Sequence, residues 1–248
     1  LAVPVANTAV AAALELDDPL APFGYSVKRL KPVGGTMSCA EATPEGAPLL
    51  ALPLSACWTA KAAREECPAV ARALGAAASR NPKSKLLQAD GTWVALHLLH
   101  ERRAGQAAEP RRRQHLALLP QAPETLLSWG PRDVEALHGS RWKEATEQRM
   151  VKVMADYYRL AGELGEAATA ELGLDAEGYA WARRVLQQHG LYFSAPGGAP
   201  LLLLAPGLEL LEPDEEAPPS ERGARLEFGA GPAPALVLYA TRDYRPGE

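Results

Sequence analysis

The stretch Leu201-Leu202-Leu203-Leu204-Ala205-Pro206-Gly207-Leu208-Glu209-Leu210-Leu211-Glu212-Pro213 decides how this chain is read. It is a short apolar run that stops at Pro206-Gly207, restarts, and ends in an acidic, proline-rich segment. A run this short, closed by turn formers, predicts a buried strand followed by a tight turn. Upstream of it the pattern is mostly helical; downstream come short strand candidates. The stretch is either the wall of an active site or a structural joint, and the function turns on which.

Working outward, Ala224–Phe228 and Ala235–Ala240 read as strands. Upstream, Asp175–Gln188 reads as a helix with Asp175 as its N-cap and Gly190 as its stop. Trp142–Leu172 is the longest helical candidate, broken at most by Gly162 and Gly165, and Pro131–His138 is a short one. Leu86–Arg103 predicts an amphipathic helix, with Gly91 leaving room for two. Glu101–Arg113 reads as a charged linker, and the Ala-rich Ala60–Ala78 as a helix kinked or divided at Pro68. Tyr25–Val27 and Leu49–Leu54 are strand candidates, and Val10–Leu16 a short helix. The expected fold class is α+β, with small sheets at both ends of a helical insert. The expected segments are an N-terminal extension over 1–23, core residues 24–55, the insert 56–190, and further core over 191–248.

The chain has 248 residues, 47% of them hydrophobic and 23% charged, which suits an ordinary globular core. A net charge of -4 supplies no global basic field for nucleic acid. No apolar run approaches the roughly 20 residues that span a bilayer, so no membrane span is expected. Cys39, Cys57 and Cys67 are odd in number and lack metal-type spacing, which fits a reducing compartment. Leu1 in place of Met reads as a processed chain or a fragment.

Three groups of polar residues invite chemistry. His97, His100 and Glu101 have helix-face spacing, but no second ligand cluster accompanies them, so core or boundary histidines are expected and no metal. Arg102 and Arg103 with Arg111–Arg113 form a local basic patch, expected as a solvated loop. Glu209, Glu212, Asp214, Glu215 and Glu216 form an acidic run, expected as a solvated or partner-facing loop. A phosphate-binding loop, a dinucleotide fingerprint, a serine nucleophile elbow and a His-Glu-x-x-His pair are all absent from the sequence.

A serial pattern goes further than any of these groups. Leu96–Arg102 ends in Glu101-Arg102; His115–Pro120 follows, then Pro123-Glu124-Thr125, Ser128-Trp129 and Val134–Ser140. In this order the chain resembles SET-domain proteins of the Rubisco large-subunit methyltransferase-like class. Tyr179–Val185 resembles that class's "F.WA...V.SR" helix, and Leu202–Pro213 resembles its "LVP..D.LNH" strand and turn. Ala240–Asp243 with Pro246-Gly247-Glu248 resembles "A.RDI..GE", and Leu49–Pro53 an early "LL.VP" strand. The likeness covers about residues 33–248.

The resemblance implies a SET core of small sheets interrupted by helices, with S-adenosylmethionine and a target lysine entering from opposite faces in active members. It also assigns cofactor-binding positions, several of them altered. Gly34-Gly35-Thr36-Met37 stands in place of the Gly-x-Gly loop, with Thr36 at the second glycine, where a side chain crowds a close backbone approach. His189 replaces the arginine of "SR". Glu212-Pro213 replaces the Asn-His pair, adding like charge and removing a backbone donor. The family's catalytic tyrosine follows the "GE" turn, whereas Tyr244 precedes it, so no catalytic residue is assigned.

The expectation is therefore a catalytically inactive SET-domain protein that binds no cofactor and serves as a scaffold subunit among other protein subunits of a large complex. Nucleic acid would be contacted only indirectly. Plastid relatives by resemblance include a Rubisco methyltransferase and a subunit attached to the plastid RNA polymerase, which gives a plastid stroma address, or otherwise a cytoplasmic one. The alternative is an active S-adenosylmethionine-dependent protein-lysine N-methyltransferase whose C-terminal part lies outside this chain. A third reading is a nucleic-acid role through the Arg102–Arg113 patch.

Overall fold

The computed structural model describes residues 20–33, 36–194, 200–211, 224–229 and 234–248. Val10–Leu16, Gly34, Gly35 and the acidic stretch Glu212–Glu221 lie outside them.

The strands run in chain order as β1 (Val27–Lys28), β2 (Leu30–Val33), β3 (Thr36–Cys39), β4 (Pro48–Pro53), β5 (Trp58–Thr59), β6 (Leu191–Ser194), β7 (Pro200–Leu204), β8 (Ala224–Gly229) and β9 (Ala235–Ala240). They form a four-stranded sheet of order β1-β4-β9-β8, the hairpin β2-β3, and a three-stranded sheet β5-β7-β6. Every pairing is antiparallel. Between β5 and β6 lie the helices α1 (Ala60–Glu66), α2 (Pro68–Arg80), α3 (Lys85–Gln88), α4 (Asp90–Ala104), α5 (Pro110–Leu118), α6 (Pro131–Glu135), α7 (Arg141–Leu164), α8 (Glu166–Leu172) and α9 (Ala176–His189). The α+β class and the helical insert between small sheets are both present.

Two cores meet at β7. Leu202 and Leu204 belong to the helical core with Trp58, Leu96, Leu98 and Tyr179, while Leu203 and Ala205 belong to the sheet core with Leu50, Leu52 and Leu238. Strand geometry sends alternate side chains to opposite faces, so a strand buried on both faces must be apolar throughout. That is why four consecutive leucines occur here. Each fully buried leucine contributes about 1.5–3 kcal/mol relative to exposure.

The cap signals act as read. Asp175 accepts from the Gly178 N–H at 2.6 Å and starts α9, which stops at Gly190. The long helical candidate divides at Gly165, whose φ of 83° favours glycine, and runs unbroken through Gly162.

Three expectations need correction. The helix expected over Leu86–Arg103 divides at Ala89 rather than Gly91, and α4 is buried all round from Thr92 through Leu99 rather than amphipathic. Its two polar positions in that span, Thr92 and His97, are buried as well; a helix enclosed on every side is a core helix. The charged linker is mostly helical: Glu109 caps α5 by accepting from the Arg112 N–H at 2.9 Å. Arg112 is not a solvated loop residue. It is buried, donates to the Ala56 carbonyl at 3.1 Å and to Glu66 at 2.7 Å, and lies 4.6 Å from the Trp58 ring centre.

The chain end docks on the sheet. Thr43 and Tyr244 exchange backbone hydrogen bonds of 3.0 and 2.8 Å, and the Cys39 carbonyl accepts from the Gly247 N–H at 2.8 Å. The Arg242 guanidinium lies 4.7 Å from the Tyr244 ring centre. No helix among the described residues is long and apolar enough to cross a membrane.

Candidate functional site

Beyond β7 the chain turns through Ala205-Pro206-Gly207 into a single 3-10 turn, Leu208–Leu210. Gly207 sits at φ 87°, and a β-carbon there would lie 2.5 Å from Leu20 Cδ2 and 3.0 Å from the Tyr25 hydroxyl. The Tyr25 O–H donates to the Pro206 carbonyl and pins the turn. Gly207→Ala is therefore expected to cost about 2 kcal/mol or more, from the left-handed backbone and the clash together. Urea unfolding checks this; a change below about 0.5 kcal/mol, as at an ordinary surface position, would contradict it.

This turn directs Glu209 inward. Its side chain is only 2% exposed, and a carboxylate oxygen lies 3.3 Å from His115 Nε2, itself buried. The acidic-run expectation is thus wrong for Glu209, which is a core residue. His115 comes from α5 and is held on its other side by Trp58, whose indole N–H donates to His115 Nδ1 at 2.6 Å. An acceptor Nδ1 places the imidazole proton on Nε2, the nitrogen facing Glu209. Phe23 meets His115 edge-on with ring centres 5.9 Å apart, and His97 meets Trp58 edge-on at 4.8 Å.

Charge at this joint follows from burial and neighbours. Burial pushes the Glu209 carboxyl up, but His115 and the backbone N–H groups of Gly207 and Glu209 outweigh it and hold the group below the usual carboxylate range. Glu209 is accordingly ionised at neutral pH. His189, the last residue of α9, is drawn below its usual range by burial; Glu209 opposes this and His115 adds to it. His189 Nε2 and both Glu209 oxygens are buried without an aligned hydrogen-bond partner.

Acid sensitivity follows from the signs. Burial, then Arg112 and His100, hold the His97 imidazole down at about 3, against 6.5 ordinarily. Between those values the unfolded chain binds more protons than the folded one, so stability falls as pH falls. His189 acts in the same direction below 6.5, and Glu209 adds a loss below its ordinary 4.5. The urea midpoint is expected to fall steadily from neutral pH to about 5. A flat or rising midpoint would contradict these assignments.

Of the positions assigned by resemblance, Gly34, Gly35 and Glu212 lie outside the described residues. Thr36 opens β3 opposite Val33, and Met37 pairs with Pro32 and packs on the sheet core. His189 stands by Glu209, in the turn that precedes Glu212. Met37, His189 and Glu209 do not line any of the three described cavities, the largest of which, about 710 Å³, runs between Asp90, Arg149, Asp156, Arg183 and Tyr192. The His97, His100 and Glu101 group is not isolated either, because Cys67 joins His100 and Glu101. Sequence reasoning missed Trp58, His115 and Glu209 as a unit. The one available signal was a lone acid inside the otherwise apolar Leu208–Leu211.

No family model and no curated protein matches the chain. Solved structures do. The SET domain of LSMT bound to lysine and AdoHcy aligns with a TM-score of 0.71 at 16% identity, over 99% of this chain and 53% of that one. Rubisco LSMT bound to sinefungin and monomethyllysine aligns at 0.69 and 16% identity, over 100% and 52%. Rubisco LSMT bound to AdoMet aligns at 0.67 and 15% identity, over 97% and 51%. This chain thus spans about half the length of the chains it matches. With β5–β7–β6, the β2–β3 hairpin and the β1–β4–β9–β8 sheet enclosing a helical insert, the chain has the SET-domain fold of methyltransferase type.

Proposed function

We propose that this chain is a SET-domain protein that transfers no methyl group and acts as a protein-binding subunit of a larger assembly. One observation carries the reading, and it is His189. The resemblance sets this residue where active members carry arginine, and burial keeps its ring neutral at pH 7. A neutral imidazole lacks the permanent, forked positive charge with which arginine holds a carboxylate. Beside it, Glu209 is buried and ionised. Neither residue lines a described cavity, and a ligand carboxylate brought beside this pair would meet like charge, which in a low-dielectric setting is strongly unfavourable. These residues do not fit the carboxylate end of S-adenosylmethionine, which LSMT binds.

The partner-binding half of the reading draws on α7. Val151 and Tyr158 are exposed and, seven residues apart, share one face of that helix. The plastid address belongs to the same proposal through the resemblance, and import of the tagged full-length precursor by isolated plastids checks it. For activity, full-length protein incubated with methyl-labelled S-adenosylmethionine and lysine-bearing acceptor proteins is expected to transfer no label above a protein-free control. Multiple turnovers of label transfer would overturn the reading.

A further inference from the structure

Cys67 lies between α1 and α2, at the N-cap of α2, and is 2% exposed. Pro68 follows it and fixes the backbone on its far side. The junction sits against α4, where His100 and Glu101 occupy the last turn. One ligand atom from each of Cys67, His100 and Glu101 lies within 4.8 Å of the others. Around a single tetrahedral zinc ion, ligand atoms are about 3.6 Å apart, given zinc–sulfur and zinc–nitrogen distances of about 2.3 and 2.1 Å. Metal binding would draw the three side chains together by up to about 1 Å.

The surroundings fit a cation. Glu101 is oriented by its second oxygen, which accepts from the Glu109 N–H at 3.1 Å, and His97 Nε2 stands 3.8 Å from the first. His100 Nδ1 is buried with no hydrogen-bond partner. Other charges are Glu171 on the Cys67 side and, beyond His97, Arg112, which is already paired with Glu66. Glu101, though neither Cys67 nor His100, lines a cavity of about 250 Å³ together with Arg102 and Arg113. A thiolate, a carboxylate and a neutral imidazole together carry two negative charges, which a divalent ion neutralises. Thiolate and imidazole donors select zinc-class metals over magnesium or calcium.

We propose that Cys67, His100 and Glu101 form a binding site for a zinc-class divalent ion, with three protein ligands and one open position. The metal would tie the α1–α2 junction to the central helix. Burial raises the Cys67 thiol above its usual range, so metal binding releases its proton.

The test is a titration of the full chain, purified in chelator and reduced, with cobalt(II) and then zinc(II). Wild type is expected to show a thiolate-to-cobalt charge-transfer band and visible bands of tetrahedral intensity at one equivalent, bleached by zinc. Cys67→Ser should abolish the charge-transfer band, while Cys39→Ser and Cys57→Ser keep it. Glu101→Gln should weaken zinc binding by more than the about 10–100-fold that loss of an outer partner costs. Folded wild type with no charge-transfer band would overturn the proposal, whatever the variants do. So would a band that survives in Cys67→Ser.

Discussion

Replacing His115 with alanine is expected to cost about 2–4 kcal/mol, from the packing lost at a buried ring and from leaving the Glu209 carboxylate without the N–H that faces it. His115 is the side-chain donor facing Glu209, at 3.3 Å, and both residues are almost wholly enclosed. Without it an ionised carboxylate is left in the core with backbone N–H groups alone. The Trp58 indole N–H loses its acceptor at the same time. Adding Glu209→Gln to His115→Ala removes the stranded charge, so the double variant should be more stable than His115→Ala alone by about 1–3 kcal/mol. Urea unfolding of the four proteins in the cycle measures this. A loss below about 1 kcal/mol for His115→Ala, or no recovery in the double variant, would show that the pair is not held as described.

Trp58→Ala is expected to be at least as damaging. Trp58 is fully buried at the meeting of the two cores, and large-to-small changes at such sites cost about 3–5 kcal/mol through lost contacts and the cavity left behind. It also contacts three polar side chains. It donates to His115, takes His97 on its edge, and lies beneath the Arg112 guanidinium. Since whole domains are stable by only about 5–15 kcal/mol, this variant should unfold at far lower urea or fail to accumulate as soluble protein. Trp58→Phe separates the contributions. It keeps most of the ring contact and loses the N–H donor, so it should cost about 1–3 kcal/mol, less than alanine. A Trp58→Ala protein within about 1 kcal/mol of wild type would contradict the central position given to this ring.

Much of the fold is legible in the chain itself, and the reasons are local. The leucine run is a strand because it is short, fully apolar and closed by Pro206-Gly207, and β7 ends just before that turn. Asp175 and Gly190 bracket α9 because their backbone roles are set within one helical turn. The site was less legible because it is assembled from distant segments. Trp58 and His115 are 57 residues apart in sequence, and no pattern within either segment reports the other. By sequence alone Glu209 and Arg112 read as surface charges, which is where unpaired charges belong. Arg112 is buried because it has partners in Glu66, the Ala56 carbonyl and the Trp58 ring, and Glu209 is buried facing His115 at 3.3 Å. Cys67 escaped for the same reason, since only the packing of α1 and α2 against α4 brings it to His100 and Glu101.

Leu201–Leu211 is a joint between two cores, and its turn carries a buried, ionised Glu209 next to a neutral His189. The proposal stands or falls on whether this joint holds the cofactor that LSMT binds. Isothermal titration of the full-length protein with S-adenosylmethionine at neutral pH addresses it most directly. The account predicts no saturable heat up to millimolar ligand, and saturable one-to-one binding with a micromolar dissociation constant would contradict it.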